Sequence, residues 1–160
     1  MDNALDQLIL QLKKRRLTIC VAESCTGGLV AQQLTANSGA TAYFDSGFVT
    51  YTGKAKHRLL GVKESTLEAS GEVSRKVVTE MATGALNNSD ANLSLAITGI
   101  AGPTGGTNEK PVGMVWIGWA GKNAEPESTC FHFKGDRQSI RQQAAEAAMH
   151  GMVRFLVKNA

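Results

Sequence analysis

Stretches with helical periodicity and short apolar runs alternate along the first hundred residues, and two strand-like runs then follow one another directly. That order narrows the fold more than any other feature, because alternation builds parallel pairs with helical crossovers and a direct succession builds a hairpin. Leu5, Leu8, Ile9 and Leu12 recur at i, i+3, i+4 and i+7, which predicts an amphipathic helix. The basic residues 13–16 suit its C-terminus, and its stripe is expected to cover a sheet. Residues 17–22 form a mostly apolar run, and Gly27-Gly28 opens a helical stretch through Ala31 and Leu34. Residues 42–51 are aromatic and β-branched, interrupted at Gly47, and 54–60 resume a helical pattern up to Gly61. Ser74 is a natural N-cap for a helix turning Val77, Val78, Met81, Ala82 and Ala85 inward and stopping at Asn87-Asn88. Residues 93–97 are a buried-strand candidate, 114–120 and 128–134 make the hairpin, and Asp136 caps a long last helix. The expectation is a three-layer α/β/α sandwich around a mixed β-sheet, formed by residues 1–160 as one domain.

Composition fits that picture and removes several functions. Of 160 residues, 42% are hydrophobic and 19% charged, enough apolar surface for a packed core. No run reaches the ~18–20 apolar residues of a membrane span, and the N-terminus lacks the basic-then-apolar order of a signal peptide, so a cytoplasmic protein is expected. The net charge of +3 is too mild to imply nucleic acid, and the few aromatics, 6%, are not interleaved with the basic residues. A small anionic ligand suits such a charge. Cys20, Cys25 and Cys130 are odd in number and show no CxxC spacing, against both a disulfide framework and a metal site. The Ala-rich stretch 144–148 of the last helix suggests a subunit interface and a homo-oligomer.

Three places can carry chemistry. In Ala22-Glu-Ser-Cys-Thr-Gly-Gly28 a strand end meets glycines and a helix start, a setting that exposes side chains and offers free N–H groups. Ser24 is the preferred nucleophile, with Cys25 and Thr26 as rivals, and a plain capped turn is the structural alternative. Near the segment Tyr51-Thr-Gly-Lys-Ala-Lys56, either Lys56 or Lys54 is a candidate base if burial lowers its pKa, with Tyr51 relaying the proton and His57 as a neighbour. The alternative is a pair of solvated surface lysines. Residues 99–113 hold five glycines and two prolines in a shaped loop that matches neither nucleotide-binding fingerprint, which makes it a small-molecule wall or lid. Finally, Arg137 and Arg141 lie four apart on one helix face and can grip a phosphate, or simply stand exposed behind the Asp136 cap.

AESCTGG at 22–28, GFVTY at 47–51 followed by Lys56, GEVS at 71–74, TGIAGPTGG at 98–106, KPVG at 110–113 and GDR at 135–137 together resemble the stand-alone form of the CinA C-terminal domain family. The likeness runs through nearly the whole chain in six ordered motifs. It implies a metal-free, cofactor-free amidase that hydrolyses the carboxamide of nicotinamide mononucleotide to nicotinate mononucleotide and ammonia in pyridine-nucleotide salvage. By that resemblance Ser24 and Lys56 form the catalytic pair and Tyr51 is the motif tyrosine. Thr26, Gly27, Gly28, Thr98, Gly99, Gly102, Gly105, Gly106 and Lys110 would enclose the nucleotide, and Arg137 and Arg141 would meet its phosphate. Two other readings share these motifs: an inactive nucleotide-binding paralogue, and an amidase for another small carboxamide. The family usually has Ser-Asn after the tyrosine, where this chain has Thr52-Gly53. Glycine tolerates the left-handed conformation that asparagine also visits, so the turn is expected to survive.

Overall fold

The structure, a computed structural model, describes residues 3–159. In chain order it runs α1 (Ala4–Arg15), β1 (Ile19–Glu23), α2 (Leu29–Leu34), a 3-10 turn (Ala40–Ala42), β2 (Phe44–Val49), α3 (Gly53–Leu60), α4 (Glu64–Ser70), α5 (Arg75–Asn87), β3 (Leu93–Gly99), β4 (Met114–Gly121), β5 (Ala124–His132) and α6 (Arg137–Lys158). The sheet order is β2-β1-β3-β4-β5. β1 pairs parallel with both β2 and β3, and β4 pairs antiparallel with β3 and β5, so the sheet is mixed as expected.

Side-chain alternation sorts the strand residues into two cores. Ile19, Val21, Leu95, Ile97, Ile117 and Trp119 face α1, α2 and α6, whereas Cys20, Ala22, Ala96 and Ala120 face α5. The small residues on that second face let α5 lie close to the sheet; a Cβ on Gly118 would stand 3.2 Å from the Val78 carbonyl. The first core has the bulkier side chains, each worth ~1.5–3 kcal/mol when fully buried, and takes the longest helix.

Four details depart from the sequence reading. α1 adds Leu8 and Leu12 to the core on this face of the sheet but packs chiefly on α6. The strand through residues 42–51 is not broken at Gly47, where a Cβ would press on Ala31 and Val21, so the glycine serves the close seating of α2. β5 starts at Ala124 rather than 128, because a two-residue turn closes the hairpin and the edge strand tolerates Pro126 without losing a ladder bond. α4 escapes the periodicity test because Leu67 is its one large apolar residue; it is fastened from outside by Lys63 N–H and Thr66 Oγ1 donating to the Glu80 carboxylate at 2.8 and 2.7 Å. The Ala-rich stretch is spent within the chain: Ala144, Ala145 and Ala148 are fully buried, which removes that argument for a subunit interface. No helix among the described residues is long and apolar enough to cross a membrane.

Candidate active site

β1 is followed by α2 and then by β2 on one side of it, and the chain returns through α3, α4 and α5 to place β3 on the other side. The C-terminal ends of β1 and β3 therefore diverge into a crevice, the usual location of a ligand site in an open α/β sheet. The turn leaving β1 is held by Glu23, completely buried, whose carboxylate accepts from the N–H groups of Val30 and Ala31 at 3.0 and 2.9 Å. α2 has no side-chain cap of its own, since Gly28 sits at that position with φ 104°, so Glu23 satisfies the orphan donors from the strand below. Gly27 N–H donates to Ser24 C=O and Ser24 N–H to Ile97 C=O, both at 3.0 Å. This wedges Ser24 between β1 and β3.

Helix α3 supplies the second group. Thr52 Oγ1 accepts from Ala55 N–H and caps it, and Lys56 and Leu60, four residues apart, are its buried positions. Lys56 thus occupies a core site of an amphipathic helix, with no exposed surface. Its Nζ donates to Ser24 Oγ at 2.8 Å, Thr50 C=O at 3.0 Å and Tyr51 C=O at 3.2 Å, with Glu72 Oε1 at 3.6 Å. Burial pushes the Lys56 pKa below the ordinary 10.5, and the nearby Glu72 carboxylate pushes it back up. Ser24 Oγ in turn donates to Tyr51 C=O at 3.3 Å. A hydroxyl hydrogen-bonded to a buried amine is the geometry of a nucleophile and its base. Lys54 is exposed instead, and His57 Nδ1 lies 2.8 Å from Val62 C=O, so of the candidates in this segment only Lys56 reaches Ser24. Cys25 is buried beside it, and burial lifts its thiol to about 11, leaving it un-ionised near neutrality.

Ser24, Tyr51, Thr98, Gly99 and Arg137 share a cleft of about 150 Å³ with Cys25, Glu72, Val73 and Ala101. Arg137 spans its mouth, donating to Gly102 C=O at 2.8 Å and to Tyr51 Oη at 3.1 Å. Thr98 Oγ1 donates to Glu72 C=O at 2.9 Å. The other singled-out residues stand apart from the cleft. Arg141 donates to Cys25 C=O and Thr26 C=O at 3.0 and 2.9 Å, gripping the turn from behind. Thr26 is fully buried, and its Oγ1 has no hydrogen-bond partner among the described residues. Gly105 and Gly106 lie on the exposed outer part of the loop, where a Cβ on Gly106 would meet Val112. Lys110 Nζ donates to Ser70 C=O at the end of α4.

The family model for the CinA C-terminal domain matches residues 2–156. The chain belongs to this family. Its relatives include the nicotinamide-nucleotide amidohydrolase PncC of Enterobacter agglomerans, 49% identical over 92% of this chain and 90% of that protein. The protein of the same name from Escherichia coli K12 is 44% identical over 99% and 98%. Among solved structures, the competence/damage inducible protein CihA of Agrobacterium tumefaciens superposes with a TM-score of 0.90 at 39% identity, covering 98% of each chain.

As a CinA C-terminal domain the chain departs from the expected Ser-Asn after the tyrosine, and the structure shows what changes. Thr52 caps α3 as serine would, and Gly53 lies inside the helix, not in a left-handed turn. A Cβ at 53 would make an ordinary contact, 3.5 Å, with the Glu72 carboxyl carbon, and glycine leaves that side of the carboxylate uncovered. Two site residues escaped the sequence reading. Glu23 had a legible signal, a carboxylate between an apolar strand and an uncapped, glycine-led helix. Glu72 sat inside the GEVS motif but earned no role there, because nothing local shows that a residue 16 positions beyond Lys56 returns to it.

Proposed function

We propose that this CinA C-terminal domain is a nicotinamide-nucleotide amidohydrolase that releases ammonia from the carboxamide of nicotinamide mononucleotide through Ser24 and Lys56. The observation that carries the reading is the 2.8 Å hydrogen bond between Lys56 Nζ and Ser24 Oγ, in a pair hidden from solvent but for the face toward the cleft. The names of the relatives supply the substrate.

In the amine form Lys56 takes the Ser24 proton as Oγ attacks the carboxamide carbon. The Gly27, Leu29, Val30 and Ala31 amides are engaged, so the remaining N–H groups of this turn, those of Cys25, Thr26 and Gly28, are the donors for the developing oxyanion. Lys56 passes its proton to the departing nitrogen, ammonia leaves, and an ester joins Ser24 to the nicotinate. Water then adds, giving its proton to Lys56 and thence to Ser24, which frees the acid and restores the resting pair. Arg137, whose present acceptors are a backbone carbonyl and a phenol, trades them for the phosphate. Tyr51, about half exposed at the mouth, positions that arginine.

The test is ammonia release from nicotinamide mononucleotide by the purified protein, with Ser24→Ala and Lys56→Met alongside. Both variants are expected to fold and to lose at least about a thousandfold in kcat. A Ser24→Ala protein with ordinary turnover excludes the covalent route.

A further inference from the structure

Among the described residues Glu72 is the one carboxylate lining the cleft, and it belongs to the GEVS segment to which the proposed mechanism gives no task. Its backbone is held directly by Thr98, and the two residues before it are held by Ser74 and Lys110. Thr98 Oγ1 donates to its carbonyl, Ser74 Oγ donates to Gly71 C=O at 2.9 Å, and Lys110 Nζ donates to Ser70 C=O at 2.6 Å. The side chain, by contrast, is about half exposed and extends to 3.6 Å from Lys56 Nζ. It lines two cavities, the cleft and a wider groove between α3 and α4, and the missing side chain at Gly53 leaves its carboxylate open to that groove.

Lys56 Nζ has three polar partners, at Ser24, Thr50 and Tyr51: as an ammonium it donates to all three, and as an amine it donates to the two carbonyls and accepts from the Ser24 hydroxyl. The same frame holds either form, so the charge beside it decides which is present at rest, and the serine mechanism needs the amine. Building on the Ser24–Lys56 reading, we infer that Glu72 is a positioning residue, the counter-ion that holds Lys56 as an ammonium at rest and so decides at what pH the lysine becomes a base. It is not the base itself: no hydrogen bond joins it to Ser24 among the described residues. The other groups around the pair do not replace it. Cys25, from the β1–α2 turn, is un-ionised, and Arg137, from α6, is bound to Tyr51 and Gly102. In the groove, Lys54 and Arg58 of α3 oppose Glu64 and Glu68 of α4, with His57 near Glu64 at 3.6 Å, so these charges largely offset one another. Removal of the Glu72 charge takes away the largest influence opposing burial, and burial favours the amine.

The experiment is the pH dependence of kcat/KM for nicotinamide mononucleotide in the wild type, Glu72→Gln and Glu72→Asp. In Glu72→Gln the acid limb is expected to move to lower pH, raising the rate on that limb about threefold, the scale of a partly screened ion pair. Glu72→Asp, which keeps the charge, stays nearer the wild type. Added salt moves the wild-type limb in the same direction as the glutamine substitution and leaves the Gln variant's limb in place. An acid limb unmoved by both Gln and salt overturns the inference, as does a Gln variant dead at every pH, which would make Glu72 part of the chemistry. A 15N titration of Lys56 Nζ in the substrate-free wild type and Gln variant needs no turnover. Should Lys56→Met remain active while that titration shifts with Glu72, the serine mechanism fails and the ion pair stands. Should Lys56→Met be inactive and the titration stay fixed, the counter-ion role falls alone.

Discussion

A lysine with no exposed surface is an unusual residue to bury, since stripping an ammonium of water costs several kcal/mol unless its hydrogens find acceptors. Here two carbonyls and a hydroxyl take that part, and two of the three, Thr50 C=O and Tyr51 C=O, come from the strand exit that precedes α3. The same solvent exclusion acts in the opposite sense on the neighbouring thiol. Burial destabilises the charged form of each group, so it makes an amine from Lys56 more readily and a thiolate from Cys25 less readily. Of the two adjacent candidates, the environment thus favours the serine, whose lysine neighbour is shifted toward the amine, over the cysteine, whose thiol is shifted away from the thiolate. Cys25→Ala is accordingly expected to retain ammonia release within about fivefold of the wild type, a small packing effect only. A loss matching that of Ser24→Ala would move the nucleophile to Cys25.

At the scale of elements, legibility followed the amount of local information. α5 was readable to its ends because Ser74 caps it and its apolar stripe is regular, and α3 because Gly61 stops it. α4 and the start of β5 were not, because one is held by a distant glutamate and the other is an edge strand whose outward residues are polar. The candidate site divides in the same way. Ser24, Lys56 and Arg137 sit beside signals of turn or helix start, whereas Glu72 reaches Lys56 only after the crossover folds back. A glycine outside the candidate site marks a close contact between elements. On α5, Gly84 lies against the backbone carbonyl of Leu60 at the end of α3, where a Cβ would overlap the oxygen. Gly84→Ala improves intrinsic helix propensity by up to ~1 kcal/mol, yet the overlap must push α3 away, with overpacking costs of ~1–3 kcal/mol. The expected result is a net loss of stability in urea melts together with reduced turnover, because α3 carries Lys56. A stabilised, fully active variant would show that α3 can shift without disturbing the pair.

Across the whole molecule, the candidate site is a product of topology: β1, β2 and β3 end together, and of the residues at or just beyond those ends, Ser24, Thr50 and Tyr51 meet the buried lysine while Thr98 holds the main chain of Glu72. A site assembled from so many elements couples folding to the ionisation of Lys56. The unfolded chain keeps the lysine protonated up to about 10.5, while the native protein, with its depressed value, releases the proton sooner. Between the two values the unfolded state binds more protons, so stability must rise with pH across that interval. Below the native value the full penalty for the buried ammonium applies, and above 10.5 it has gone. Burial also raises Cys20 and Cys25 to about 11, which lowers stability above 9.0; Cys20 is common to a Lys56→Met variant and drops out, while Cys25, whose thiolate Lys56 favours, rises further there and moves the comparison in the same direction. Urea unfolding of the wild type and Lys56→Met from neutral pH to 10.5 is therefore expected to show the wild type gaining on the variant as pH rises. Parallel curves would mean that Lys56 titrates as an ordinary lysine, and the protein would then lack the readily formed amine on which the serine mechanism depends.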